Sequence, residues 1–312
     1  MNAIQNQTTT KPRYSYRDTL VASQKANWRL EDIIGGDKRL GFVRPLMPES
    51  FARVDELSFL SSNEKLKLNQ IRGFDYLCAF GLVEEFILPF VLDHARSQLQ
   101  GDDYRVRAFL GFAAEEAKHI HLFKRFRAEF EDGFGTECLF IGPPSAIAEI
   151  ILAHDPLAVA LAILQIEWMS QRHYVDSIKD AQELDPQFSS LLRHHWMEEA
   201  QHAKLDTLMV EALAEGRNEA ELEKALDGYL EIGGFLDTGL MQQAEFNLEN
   251  LRRSTGRTVT EEQRSEFMNK QHQALRWTFL GSGMTHPNFL ATLERLSPAL
   301  RQRLEQVAPA FC

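Results

Sequence analysis

Apolar positions along most of this chain recur every three to four residues, the period of a helix with one buried face. From Ser62-Asn63 one stripe runs through Ile71, Phe74, Leu77, Gly81 and Leu88 to about Ser97, with Glu64 in its first turn. Pro89 lies inside that stripe and predicts a kink. Gly101-Asp102-Asp103 is a tight break that offers an aspartate N-cap to the next helix. That second helix, about 104–131, repeats Phe109, Phe112, Ala113, Ile120, Phe123 and Phe126. Residues 132–144 read as a loop, followed by a short helix capped by Ser145 and ending near Ala153. Asp155-Pro156 and Asp185-Pro186 each place proline at a first helical position. They open a third long helix, through Ile163, Ile166 and Tyr174 to about Glu183, and a fourth over about 187–214. Further helices are expected at about 218–253 and 260–280, and a short one at 288–306 after the Gly281–Pro287 break. Residues 1–60, punctuated by Pro12, Gly35-Gly36, Pro45 and Pro48, read as an extended arm with short helical turns. No strand pattern and no internal repeat interrupts this reading, so the expected class is all-α. It divides into an arm (1–61), a four-helix core (62–216) and carboxyl-terminal helices (217–312).

Chemistry sits on those stripes. Glu116-Ala117-Lys118-His119 on the second helix and Glu199-Ala200-Gln201-His202 on the fourth repeat one Glu-x-x-His step. Residues i and i+3 share a helix face, so each step offers a carboxylate and an imidazole to one metal ion. With 29 Glu and 10 His among 312 residues, about one such step would arise by chance, and context must decide. On the third helix the run AVALAILQIEWM holds a single acid, Glu167, with no Lys or Arg within a turn on its apolar side. A carboxylate buried there without a partner costs several kcal/mol or stays protonated, so the position asks for a cation. On the first helix GLVEEFILPFV offers Glu84 or Glu85. His195 precedes Glu199 by four residues and shares its face with His202, which makes it a candidate third imidazole; His194 is the other candidate in RHHWM. His121, His173 and His194 are otherwise read as ordinary polar residues, and Trp168 and Trp196 as core.

Composition narrows the partners. A net charge of −11 argues against nucleic acid and anionic membranes. No run reaches the 18 or more apolar residues of a membrane span, and the polar amino-terminal stretch lacks the apolar segment of a secretory signal. Cys78, Cys138 and Cys312 are distant from one another and odd in number, which suits reduced thiols in a cytoplasm. A homodimer is the expectation from symmetry alone.

The order Glu84, Glu116 with His119, Glu167, then His195, Glu199 and His202 resembles the ferritin-like di-iron carboxylate superfamily, and within it the arylamine N-oxygenases of the p-aminobenzoate N-oxygenase type. The stretch YLCAFGLVEEF, with Tyr76 eight residues before Glu84, is similar to that family's pattern around its first Glu and favours Glu84 over Glu85. The likeness spans about residues 62–215; the residues around the motif acids, such as Glu115 and Glu198, differ. It implies two Fe ions (Fe/Fe, with Mn/Fe as the variant), Glu116 and Glu199 as bridges, Glu84 and His119 completing one site, and Glu167, His202 and His195 the other. It also implies a di-iron oxygenase that activates O2 to oxidise a small organic substrate, N-oxygenation of an (aryl)amine being the family's reaction. Carboxylates with imidazoles suit Fe(II) or Mn(II). No flavin or nicotinamide motif is evident, so a separate electron donor is expected. A ferroxidase or iron-binding protein without organic substrate is the alternative, and a metal-free helical interaction module the third reading. An oxygenase should line its approach with apolar residues such as Phe80, Phe112 or Leu164, a ferroxidase with acids.

Overall fold

A computed structural model of the chain describes residues 14–312; the start of the arm, with Pro12, lies outside the described residues. Helix α1 (Tyr16–Ala26) is capped by Ser15 and α2 (Glu49–Ala52) is a single turn. The arm is therefore more ordered than its sequence suggests. Eleven residues with only Thr19, Leu20 and Ser23 buried form α1, too little apolar surface to show as a period. It packs against two helices of the core described next.

Four long helices form that core. α3 (Ser62–Arg96) starts at a capping box between Ser61 and Glu64 and continues through Pro89 without ending there. Asp102 caps α4 (Asp103–Phe134), whose buried Phe109, Phe112, Phe123, Phe126 and Phe130 carry the predicted stripe. The short turn between them makes α3 and α4 an antiparallel pair. A longer crossover follows, a loop over 135–143 and then α5 (Pro144–Leu152). The expected Ser145 cap is not used, because Pro144 opens α5 one residue earlier, after Pro143.

Asp155 caps α6 (Pro156–Arg172), which is buried on almost every face. Residues His173–Ile178 continue it in π-helical geometry rather than as α-helix to Glu183. Asp185 caps α7 (Pro186–Ala214) through the amides of Gln187 and Phe188. α7 packs on both α4 and α6 and closes the bundle, and α1 lies across α4 and α7.

The carboxyl-terminal helices wrap this core. α8 (Glu219–Thr255) lies on α3 and α6, and α9 (Glu261–Arg276) on α8. α10 (Ser282–Met284) approaches α6 so closely that a Cβ at Gly283 would fall 2.6 Å from the carbonyl oxygen of Gln165. The single helix expected over 288–306 is two, α11 (Pro287–Leu296) and α12 (Pro298–Val307). Ser297 is both the end of the first and the N-cap of the second, and Pro298 cannot continue a helix from the preceding turn. Among the described residues there is no strand, and no helix is long and apolar enough to cross a membrane.

Candidate metal centre

Each helix of the bundle sends an acid to one point. Glu84 from α3, Glu116 from α4, Glu167 from α6 and Glu199 from α7 are 3%, 0%, 2% and 2% exposed. His119, His195 and His202 join them and are equally buried. Glu85 faces outward and pairs with Lys124 at 2.7 Å, so the ambiguous doublet on α3 resolves with Glu84 inside. This pattern of a single Glu on two helices and Glu-x-x-His on the other two is the ferritin-like arrangement, reached here with one long crossover.

Two donor groups share members. In one, Glu84, His119, His195 and Glu199 present ligand atoms all within 4.8 Å of one another; in the other, Glu116, His119, Glu199 and His202 do so. Glu199 is central to both. Its Oε1 lies 2.8 Å from His195 Nε2 and 2.9 Å from His119 Nδ1, and its Oε2 lies 3.2 Å from His202 Nδ1. Glu116 Oε1 is 2.8 Å from His202 Nδ1. His195 departs from expectation: it sits on the Glu84 side, Nε2 to Oε1 at 3.1 Å, rather than with Glu167 and His202. The reason is axial. His195 and His202 are seven residues apart on α7, roughly 10 Å of helical rise, so they serve opposite ends of the cluster. Glu167 belongs to neither four-residue group; its carboxyl lies against Glu199, with His202 and Asp206 as further charged neighbours.

The outward imidazole nitrogens have their own partners. His119 Nε2 is 2.9 Å from Glu198 Oε2, and His202 Nε2 is 2.8 Å from Glu115 Oε2. Each acid is the residue preceding a motif Glu, and each holds the histidine of the other helix. Glu198 also accepts from Lys118, and Glu115 from Ser23 of α1. A carboxylate on the far nitrogen fixes the tautomer and turns Nδ1 of both rings inward, towards the acids. Aromatic faces close the apolar sides: Phe112 stacks on His202 at 4.0 Å, Phe80 meets His195 edge-on at 5.3 Å, and Trp28 lies along His119 at 5.9 Å.

Sequence reasoning missed Glu115, Glu198 and Asp206. Asp206 is fully buried one turn beyond His202, and neither of its oxygens has a hydrogen-bond partner. Its spacing after Glu199 and His202 (i, i+3, i+7) was the available signal. The doublets Glu115-Glu116 and Glu198-Glu199 were visible too, but which acid meets which imidazole depends on the register of two helices.

Without a metal, protons neutralise this cluster. Burial opposes a charged His119, yet the Glu199 charge, the nearby Glu116 carboxylate and the bond to Glu198 hold the imidazole well above its ordinary value. Burial likewise opposes His202, and Glu199 and Glu116 outweigh it. For His195 burial wins and the ring is held neutral. Burial, reinforced by the Glu199 charge, keeps Glu167 protonated, while the charged His202, the hydrogen bond from Glu167 and the charged His119 overcome burial to keep Glu199 ionised. The compensation is incomplete. Of fifteen buried side-chain atoms that lack a hydrogen-bond partner among the described residues, eight belong to Glu84, Glu116, His119, Glu167, Glu199 and Asp206. Apart from His195 Nε2 with Glu84 Oε1 and His202 Nδ1 with Glu199 Oε2, the inward atoms approach one another without aligned hydrogen bonds, whereas the outward nitrogens of His119 and His202 both have one. Such a donor set, mixed carboxylate and imidazole with its lone pairs converging, fits two divalent ions.

His173, read as an ordinary polar residue, is buried behind the cluster. Its Nδ1 meets Tyr76 Oη at 3.1 Å and its Nε2 meets Ser282 Oγ at 3.0 Å. Burial lowers its pKa to about 3, so it is neutral.

No protein-family model matches the chain, and no curated protein matches it. Solved structures do. One is an R2-like ligand-binding oxidase with aerobically reconstituted Mn/Fe cofactor, 15% identical, covering 88% of this chain and 97% of that one, with a TM-score of 0.43. A single-residue variant of such an oxidase, with anaerobically reconstituted Mn/Fe cofactor, is 14% identical over 89% and 97%, with a TM-score of 0.45. At that distance the donor geometry, not the likeness, bears the functional argument.

Proposed function

We propose that this chain is a di-metal oxidase that activates O2 at the centre of its helical bundle to oxidise a small organic molecule. The observation that carries the reading is the contrast between the eight inward atoms left without aligned partners and the outward nitrogens held by carboxylates. Glu84, Glu116, His119, Glu167, His195, Glu199 and His202 would hold the ions, Glu199 being common to both donor groups. When bound, two ferrous ions, or a manganese and an iron, supply the electrons for reducing O2. The chain's own residues do the rest. Glu198 and Glu115 hold the imidazole Nε2–H groups, so protons displaced by metal leave from Nδ1 and from Glu167. Phe80, Phe112 and Trp28 exclude water from the faces of the three rings, which strengthens every electrostatic contact inside.

The apolar faces of Phe80 and Phe112 against His195 and His202 support an organic substrate over an iron-entry path lined by acids. N-oxygenation of an arylamine is the specific reaction that the sequence resemblance suggests. The test is anaerobic loading with ferrous iron, elemental analysis, then addition of O2 with arylamine and aliphatic amine substrates and mass spectrometry of the products. Two ions per chain and an added oxygen in one product are expected. Fewer than one ion per chain would overturn the metal reading; two ions with iron oxidised and no oxygen in any product would leave a ferroxidase.

A further inference from the structure

We propose that a groove on the outer face of α7 is a second binding site, for a mononucleotide-class ligand: a flat aromatic ring carrying phosphate. The inference does not depend on the metal centre. The groove has a volume of about 660 Å³, within the range of ligand pockets, and lies between the π-helical turn after α6, the first half of α7 and the arm at Arg44.

Charge is the first reason. The chain carries a net charge of −11, yet no lining residue of the groove is acidic and Arg44, Lys179 and Arg193 all border it. Among the described residues none of these three makes an ion pair or a side-chain hydrogen bond. Several other arginines are paired, as Arg252 and Arg253 are with Glu249 and Arg276 is with Asp237, whereas Arg107 and Arg125 are unpaired among the described residues but stand apart from this groove. Two guanidinium groups and an ammonium left free around one depression match a phosphate dianion, which arginine can grip bidentately. The amides at the start of α7 are not available for that role, because Asp185 already accepts from Gln187 and Phe188. Recognition falls to the side chains.

The wall is the second reason. Tyr174 and Trp196 stack on each other at 4.4 Å and 24°, both half-buried, and a ligand ring would extend that stack. Tyr174 is presented by the π-helical turn His173–Ile178, a backbone form that occurs mostly as single turns within helices and frequently at functional sites. Cations and aromatics thus converge from three separate segments of chain, and phosphate alone would use only half of what is offered.

The test is isothermal titration calorimetry of the full metal-loaded chain with flavin mononucleotide and adenosine monophosphate, beside riboflavin, adenosine and inorganic phosphate. Saturable one-to-one binding of at least one nucleotide is expected, with its unphosphorylated partner and inorganic phosphate each weaker by about tenfold or more. The combined Arg44→Ala, Lys179→Ala and Arg193→Ala variant should lose about tenfold in affinity while its circular dichroism and metal content stay unchanged, since all three side chains are exposed. Absence of saturable heat with both nucleotides, equal binding of nucleoside and nucleotide, phosphate binding as tightly as nucleotide, or an unaffected triple variant would each overturn the assignment.

Discussion

Two clusters of buried polar side chains lie along α3, one around Asp75 and one around Glu84, and they are built on opposite principles. Asp75 is 0% exposed, yet each of its oxygens has a donor. Arg72 Nη1 donates to Oδ2 at 3.0 Å, Gln243 Nε2 to Oδ1 at 2.9 Å, and Asn247 Nδ2 to Oδ2. Gln243 and Asn250 go on to hold the crossover loop, accepting from the amides of Ile141 and Leu139. Around Glu84, roughly 13 Å further along the same helix, acids outnumber the aligned donors and several oxygens have none. The first cluster leaves only Arg72 Nε without a partner and ties α3, α8 and the loop together. The second is finished only when something positive enters. Buried polarity by itself therefore marks neither structure nor function; the partner count of each atom separates them.

Opposite responses to neutralising an acid would sharpen that contrast most. Glu199→Gln should bring bound metal below one ion per chain and abolish O2 consumption, measured by elemental analysis and an oxygen electrode. Glu167→Gln should also lose metal, yet leave the metal-free protein's stability within about 0.5 kcal/mol, because Glu167 is already neutral there and glutamine matches its shape. Asp75→Ala should behave in reverse. Removing the partner of fully buried Arg72 costs about 3–5 kcal/mol of unfolding free energy by urea denaturation, with two ions still bound per folded chain. A stable Asp75→Ala protein that had lost its metal would erase the distinction between the clusters.

How much of this was legible in the sequence follows the same division. Glu116, His119, Glu199 and His202 could be paired from their spacing alone, because a helix fixes i and i+3 on one face. Glu167 stood out as the only acid in an apolar run. The Asp75 cluster was invisible, since Gln243 and Asn247 reach it from α8, more than 160 residues away. His195 was found but put at the wrong end, because its distance from Glu84 depends on how α3 and α7 are staggered. The π-helical turns at His173–Ile178 and Trp277–Gly281 also escaped, as one extra residue per turn leaves no mark in a 3.6-residue period.

A smaller effect tests whether the outward bonds matter to the inward donors. Glu198→Ala and Glu115→Ala remove the acceptors of His119 Nε2 and His202 Nε2 without touching an inward atom. Each should weaken metal affinity by about 10–100-fold, read by competition with a chelator of known affinity, while stoichiometry at saturating metal stays at two. Conservative Glu198→Gln, which keeps an acceptor oxygen, should recover part of the loss. Affinity unchanged in both alanine variants would mean that the rings are oriented by packing against Phe112 and Trp28 alone.

The smallest expected effect concerns His173, a histidine buried among satisfied neighbours. Its folded pKa of about 3 lies below the ordinary 6.5, so between those values the unfolded chain binds a proton that the folded chain refuses. The stability that neutral His173 contributes is therefore complete above about pH 6.5 and is lost as pH falls towards 3, by at most about 1.4 kcal/mol per pH unit. Other groups titrate over the same range, so the informative quantity is a difference. His173→Gln retains hydrogen-bonding capacity toward Tyr76 and Ser282 but cannot take up the proton. Its unfolding free energy, measured by urea at pH 7.0, 6.0 and 5.0, should converge on that of the unaltered chain as pH falls. Parallel curves would show that His173 protonates in place, which would put it with the unfinished cluster rather than with the one around Asp75.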